Sequence, residues 1–211
     1  MSINKSAQLI NLEAYDSIAT KYHELTKDLD MKWQQRMFLD MIPENASILD
    51  AMSGPSRDVK EFVLKGYQTS AVDKSQPMLD IIQQEVPLVK VFNQDITKLD
   101  LKDTYDGIWC NAGIFMLEKK LIPKALEKIS QHLKKGGALY INCKLGDKTE
   151  GSYYDKRYGV QRFETYFQND ELKELLENTN LDVRREMISY AQNPAYRTTL
   201  YEYVHHTNTI L

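Results

Sequence analysis

Residues 47–58 read Ser47-Ile48-Leu49-Asp50-Ala51-Met52-Ser53-Gly54-Pro55-Ser56-Arg57-Asp58. An apolar pair, Ile48 and Leu49, runs into the acidic Asp50. Small, turn-forming residues follow (Ser53, Gly54, Pro55, Ser56), and residues 57–65 are compatible with a helix. Strand, tight turn, helix is the unit from which a doubly wound sheet builds a nucleotide site at the carboxyl end of its first strand. The helix N-terminus there leaves N–H groups unpaired and carries partial positive charge. Both suit an anionic or carboxylate-bearing ligand.

Working outward, the same alternation repeats. The helix from Arg57 closes at Gly66, which can take a left-handed cap. Residues 67–72 form a second strand ending at Asp73, about twenty residues beyond the turn, where a carboxylate can accept two ribose hydroxyls. Asp73 or Ser75 could equally start the helix expected over residues 76–85. Residues 89–94 form a third strand followed by Asp95. Residues 106–111 (Asp-Gly-Ile-Trp-Cys-Asn) form a fourth, with the unbroken apolar centre of a strand buried on both faces. Its carboxyl end, Asn111-Ala112-Gly113, lies where ligands bind in such sheets. Residues 121–133 carry an amphipathic stripe (Leu121, Ala125, Ile129, Leu133). Lys134-Lys135-Gly136-Gly137 ends that helix, and residues 138–143 form a fifth strand.

Upstream, Tyr15, Ile18, Ala19 and Tyr22 share one helical face. A core-packing stripe and a lid over a ligand are both open readings of it. Residues 31–41 form a second helix, with Trp33, Met37, Leu39 and Met41 as buried candidates and Pro43 as its stop. Residues 144–168 are irregular and rich in aromatics (Tyr153, Tyr154, Tyr158, Phe163, Tyr166, Phe167), either a substrate wall or a hairpin packed on the sheet edge. Residues 169–178 form a helix capped by Asn169 or Asp170. Residues 182–189 and 197–205 alternate as a strand pair.

The 211 residues are 42% hydrophobic, enough for one domain with a substantial core. We divide it into an N-terminal helical lid (1–45), a core (46–143) and a substrate-side loop with a C-terminal hairpin (144–211). A net charge of -3 gives no reason to expect a broad nucleic-acid surface. Cys110 and Cys143 fall in apolar runs and read as free buried thiols. No apolar run reaches the eighteen or so residues needed to span a bilayer. No signal-peptide stretch opens the chain, so no membrane association and a cytoplasmic location are expected. His205-His206 reads as an exposed tail, since a zinc site wants three or four ligands; no metal site is expected.

The stretch at Asp50 resembles the first motif of the class I S-adenosylmethionine-dependent methyltransferases, an acidic residue followed by glycines at alternate positions. Here those positions hold Met52, Gly54 and Ser56. The Leu133-Lys134-Lys135-Gly136-Gly137 unit and the Tyr15-Asp16-Ser17-Ile18-Ala19 segment with Tyr22 resemble the same family. The resemblance implies a doubly wound α/β sheet of seven mostly parallel strands, the last antiparallel, with helices on both faces. It implies S-adenosylmethionine as cofactor, held by Asp50, Ala51, Met52, Gly54, Arg57, Asp73, Lys74, Met78, Asp95, Ile96 and Asn111. Within that set Asp73 would meet the ribose, and Asp95 with the Ile96 amide the adenine. Tyr15, Tyr22 and Tyr153 are candidate contacts to a small-molecule substrate. No residue stands out as a general base. No Asn-Pro-Pro-Tyr or Asp-Pro-Pro-Tyr follows the fourth strand, which counts against amino methylation of nucleic-acid bases. Met52, too large for a glycine position, leaves a second reading open: a catalytically silent relative acting as a regulatory or scaffolding partner.

Overall fold

Five short apolar runs become parallel strands: β1 (Ser47–Ala51), β2 (Gln68–Asp73), β3 (Lys90–Asn93), β4 (Tyr105–Cys110) and β5 (Leu133–Leu145). The computed structural model describes residues 5–146, 149–168, 170–179, 181–190 and 199–206. Helices α1 (Ala7–Thr26) and α2 (Lys32–Leu39) precede the sheet, and α3 (Arg57–Leu64), α4 (Gln76–Glu85) and α5 (Ile122–Gln131) connect its strands. A hairpin, β6 (Glu150–Asp155) and β7 (Val160–Thr165), follows β5. Helix α6 (Glu171–Glu177) and strands β8 (Asp182–Tyr190) and β9 (Thr199–His206) complete the chain. The sheet runs β3-β2-β1-β4-β5-β9-β8, with β9 antiparallel to both neighbours. The expected doubly wound, mostly parallel sheet is present.

Alternation along the strands sorts the core into two faces. Leu49, Ile108, Leu139 and Ile141 point toward α5 and α6 (Ile122, Leu126, Leu172). Ile48, Trp109 and Tyr140 point the other way, onto α2 and α3, where Phe38 and Phe62 sit. Trp109 stacks on Tyr140 with centroids 3.9 Å apart and planes 15° apart. Phe38 and Phe62 edge in at 5.4 and 5.5 Å. Both cysteines are buried thiols that are not joined in a disulfide, and burial pushes the Cys110 thiol up to about 12.

Several expectations need correction. In α2 the inward face is Gln35 and Phe38, continued by Ile42, and Trp33 is 49% exposed. Residue 33 is out of phase with that i, i+3, i+7 stripe. α5 stops at Gln131, and the Gly-Gly unit lies inside β5 instead. Tyr105 pairs with Leu133 and Gly107 with Ala138, so residues 134–137 bulge out between two paired stretches. The aromatic-rich segment is a hairpin, but it packs on α1, since Asn11 binds the backbone of Phe163. His205 and His206 are not a tail: their backbones pair with Leu139 and Ala138 in β9. The expected cap Asn169 lies outside the described residues.

Candidate active site

A cavity of about 300 Å³ opens where the carboxyl ends of β1, β2, β3 and β4 face α1. Its floor begins at the β1–α3 turn. Met52 and Gly54 both hold left-handed backbone, at φ 56° and 57°. Glycine reaches that region freely, whereas another L-residue there costs roughly 1–2 kcal/mol. The Met52 side chain lies over Gly113 in the β4 loop. A Cβ on Gly113 would stand 2.7 Å from the Met52 Cβ and 3.0 Å from its Sδ. The missing glycine of the turn is thus matched by a glycine across from it. The thioether still lines the cavity, but it is drawn onto the loop. Gly54 has nothing within 4 Å of an added Cβ, so open space stands over the turn.

Asp73, at the end of β2, accepts the Gly54 N–H on Oδ2 (2.9 Å) and the Ser75 N–H on Oδ1 (2.8 Å). Burial raises its pKa against those bonds. Asp95 opens a short 3-10 turn (Ile96–Lys98), accepting the Thr97 N–H at 3.0 Å, and pairs with Lys74 at 2.8 Å. Burial opposes its charge, but Lys74 and Thr97 outweigh it and hold the carboxyl below its usual range. Met78 and Ile96 complete this wall.

Asp58, in the first turn of α3, organises the far side, and nothing in the sequence singled it out. It is 4% exposed. It accepts from Gln35 (2.8 Å), Trp109 Nε1 (3.1 Å) and Asn111 Nδ2 (3.3 Å), and pairs with Arg57 at 2.6 Å. Burial opposes its charge, yet Arg57, Trp109 and Gln35 together lower its pKa. Asn111 Oδ1 accepts from Asn142 Nδ2 (2.7 Å), and Asn142 Oδ1 accepts the Ala112 N–H (2.7 Å). This chain fixes the β4 loop under the cavity. Its one advance sign was an asparagine inside the apolar run of β5.

Helix α1 forms the roof. Its buried stripe is Ala7, Asn11, Ala14 and Ile18, with Tyr15 and Tyr22 flanking it over the cavity. The Asn11 amide donates to the carbonyls of Phe163 (3.0 Å) and Met116 (2.9 Å) and accepts the Phe163 N–H (2.9 Å). Tyr15 meets Tyr22 edge-on at 5.3 Å, and its hydroxyl accepts from Arg162 Nη2. Burial, then Tyr22, push the Tyr15 pKa well up against Arg162, so the phenol is neutral.

The structure therefore brings Met52, Gly54, Arg57, Asp73, Lys74, Met78, Asp95, Ile96, Asn111, Tyr15 and Tyr22 to one cavity. Three expected residues lie outside its lining. Asp50, 1% exposed, and Ala51 are sealed beneath the turn because β1 runs between two strands. The Asp50 pKa is raised well up by burial and then by Asp58, and its Oδ2 has no partner. Tyr153 sits in the hairpin, giving its hydroxyl to Glu164 at 2.6 Å. Among the described residues, no cluster could hold a metal ion and no helix is long and apolar enough to cross a membrane.

Residues 48–137 match the family model of the methyltransferase domain. The cypemycin N-terminal methyltransferase of a Streptomyces species is 28% identical over 129 residues, which span 58% of this chain and 50% of that protein. The chain thus aligns with half the length of that relative. The fold is shared with the 1,6-didemethyltoxoflavin-N1-methyltransferase of Burkholderia thailandensis, solved with bound 1,6-didemethyltoxoflavin and S-adenosylhomocysteine. Their TM-score is 0.76 at 18% identity, covering 99% of this chain and 93% of that one. An S-adenosylmethionine-dependent methyltransferase of Clostridium acetobutylicum superposes with a TM-score of 0.69 at 17% identity, covering 92% and 99%.

Proposed function

On the premise of a methyltransferase domain over residues 48–137, we propose that the protein transfers a methyl group from S-adenosylmethionine to a small molecule. The observation that carries this is the placement of Asp73. Its carboxylate stands at the cavity wall, pinned by the Gly54 and Ser75 N–H groups beside the left-handed turn. Each oxygen keeps a lone pair for a ribose hydroxyl. The donor set fits the cofactor, and the cavity lies at the small end of the range for ligand pockets.

Strand order sets the direction of binding. Neighbouring strands lie about 4.8 Å apart, so a ligand laid along the sheet edge meets Asp95, Asp73, Gly54 and Asn111 in turn. Asp95 and the Ile96 amide would receive the adenine, Asp73 the ribose, and the β1–α3 turn with Arg57 the amino-acid end. When bound, the cofactor supplies an electrophilic methyl group on a sulfonium. The Asn111–Asn142–Ala112 chain holds the β4 loop still beside that point. Tyr15 and Tyr22 close the roof, exclude water and orient the acceptor. Positioning of this kind is worth several kcal/mol of barrier. Tyr153 would act at one remove, through Glu164 and Arg162, which faces Tyr15.

Isothermal titration calorimetry with S-adenosylmethionine and S-adenosylhomocysteine tests the reading. Micromolar binding that is lost in Asp73→Ala is expected. No binding at millimolar ligand would sink the methyltransferase reading and favour the silent, regulatory one. Met52 bears on that alternative, and its diversion onto Gly113 supports an open cavity.

A further inference from the structure

We propose that Glu85 is a positioning residue that couples the docking of α1 over the cavity to the β1–α3 turn, by bonding His23 on one side and Ser56 on the other. Glu85 is the last residue of α4. One carboxylate oxygen accepts the Ser56 hydroxyl. The other meets His23 Nε2 at 3.1 Å. Ser56 is 1% exposed and His23 7%. A buried polar group stripped of its partner is costly, so both bonds hold while Glu85 is in place. The Ser56 hydroxyl foremost keeps the Glu85 carboxyl below its usual range, against burial and with help from His23 and Lys60. Lys60, half exposed at 3.6 Å, adds little to the geometry.

The two ends of this joint have different jobs. Ser56 stands two residues beyond Gly54, whose N–H is fixed on Asp73. A glycine here would leave the turn free of α4, whereas serine ties it there. His23 lies on the half of α1 that brings Tyr22 and Thr26 to the cavity. The other half of α1 is fastened by Asn11 to the hairpin and the β4 loop. Of these fastenings only the one through Glu85 shares an anchor with the turn. Lifting the C-terminal half of α1 removes the contact that helps fix the Glu85 side chain, and so loosens its position at Ser56. By linkage, a displaced turn weakens the hold on His23 by the same factor. The joint exists whatever the ligand; its consequence, that a ligand ordering the turn also closes the roof, rests on the methyltransferase reading.

Hydrogen–deuterium exchange of the full chain without ligand, resolved by mass spectrometry, tests the joint. Ser56→Ala removes one oxygen that does not touch α1. We expect residues 18–26 to exchange about three- to tenfold faster in that variant, toward the low end of the coupling found between residues that share a partner. His23→Gln should speed residues 53–58 reciprocally, and Glu85→Gln should speed both segments. If Ser56→Ala loosens the turn but leaves residues 18–26 at the wild-type rate, the coupling is overturned. Should Glu85→Gln fail to fold, the other two variants decide alone. The readout uses no cofactor, so its failure leaves the methyltransferase reading standing, and failed calorimetry leaves the joint standing.

Discussion

Along the floor of the cavity the strand ends are held through main-chain groups: the Gly54 N–H on Asp73, the Ser53 N–H on the Val72 carbonyl, and the Ala112 N–H on Asn142. The roof is held differently. Helix α1 is fastened by side chains, with Asn11 on the hairpin, His23 on Glu85, and Tyr15 under Arg162. Floor contacts follow from where the backbone must turn. Roof contacts join residues 62 to 152 positions apart. The floor is therefore a property of the fold, while the roof is a property of particular pairs.

The largest expected effect lies outside both, at the far side of the cavity, where Asp58 works through side chains. Asp58→Ala strands the Arg57 guanidinium and unpairs Trp109 Nε1. A broken buried pair typically costs about 3–5 kcal/mol. Denaturant unfolding should show that loss, and a loss under about 1 kcal/mol would mean that Asp58 is no anchor. In the roof, Asn11→Ala orphans the Phe163 N–H and two carbonyls, at about 2–3 kcal/mol by the same measurement. Its mark should be faster proteolysis of the α1–hairpin contact with the sheet core still intact. Next comes the β4 loop. Gly113→Ala puts a Cβ against Met52 and should push the thioether into the cavity. That costs about 1–3 kcal/mol, near tenfold or more in S-adenosylhomocysteine affinity by calorimetry. Adding Met52→Gly should restore most of it, while Met52→Gly alone should raise affinity by less than about threefold. A larger rise would mean that Met52 obstructs the site after all.

The smallest effect concerns Asp50. Burial raises its folded-state pKa above the ordinary 3.8. Over the pH window above 3.8 the folded chain keeps a proton that the unfolded chain has lost. Stability therefore falls as pH rises through that window, and the cost is complete above the folded pKa. Asp50→Asn removes the charge with little change of shape. It should match the wild type near pH 3 and be the more stable of the two as pH rises above that window, with cofactor affinity little changed. A large loss of affinity would place Asp50 in the cavity after all.

The same division explains what the sequence disclosed. Strand-turn-helix at residues 47–58, the acidic ends of β2 and β3, and the helix at residues 76–85 are local patterns, and each stands where it was expected. Asp58 was hidden because an acidic residue in the first helical turn is ordinary on any exposed helix. Only the sheet, by delivering Trp109 and Asn111 to it, makes it an anchor. Asn11 is one polar residue among several at the start of a helix, and nothing local marks it. Ser56 read as a worn glycine, since no local pattern joins it to residues 29 positions onward and 33 positions back. Trp33 misled because its bulk outweighed its phase on the helix.

The aromatic cluster beneath the cavity has an optical consequence. The chain has two tryptophans. Trp33 is 49% exposed and Trp109 fully enclosed. Trp109 lies against Tyr140 and donates to the Asp58 carboxylate, the partner of Arg57 at the cavity wall. A water-borne quencher such as acrylamide will reach the first indole and not the second. The emission that survives quenching comes from a chromophore wired to the ligand-facing ion pair. The protein thus carries a label-free spectroscopic gauge of its own site, readable in a titration before any acceptor is known.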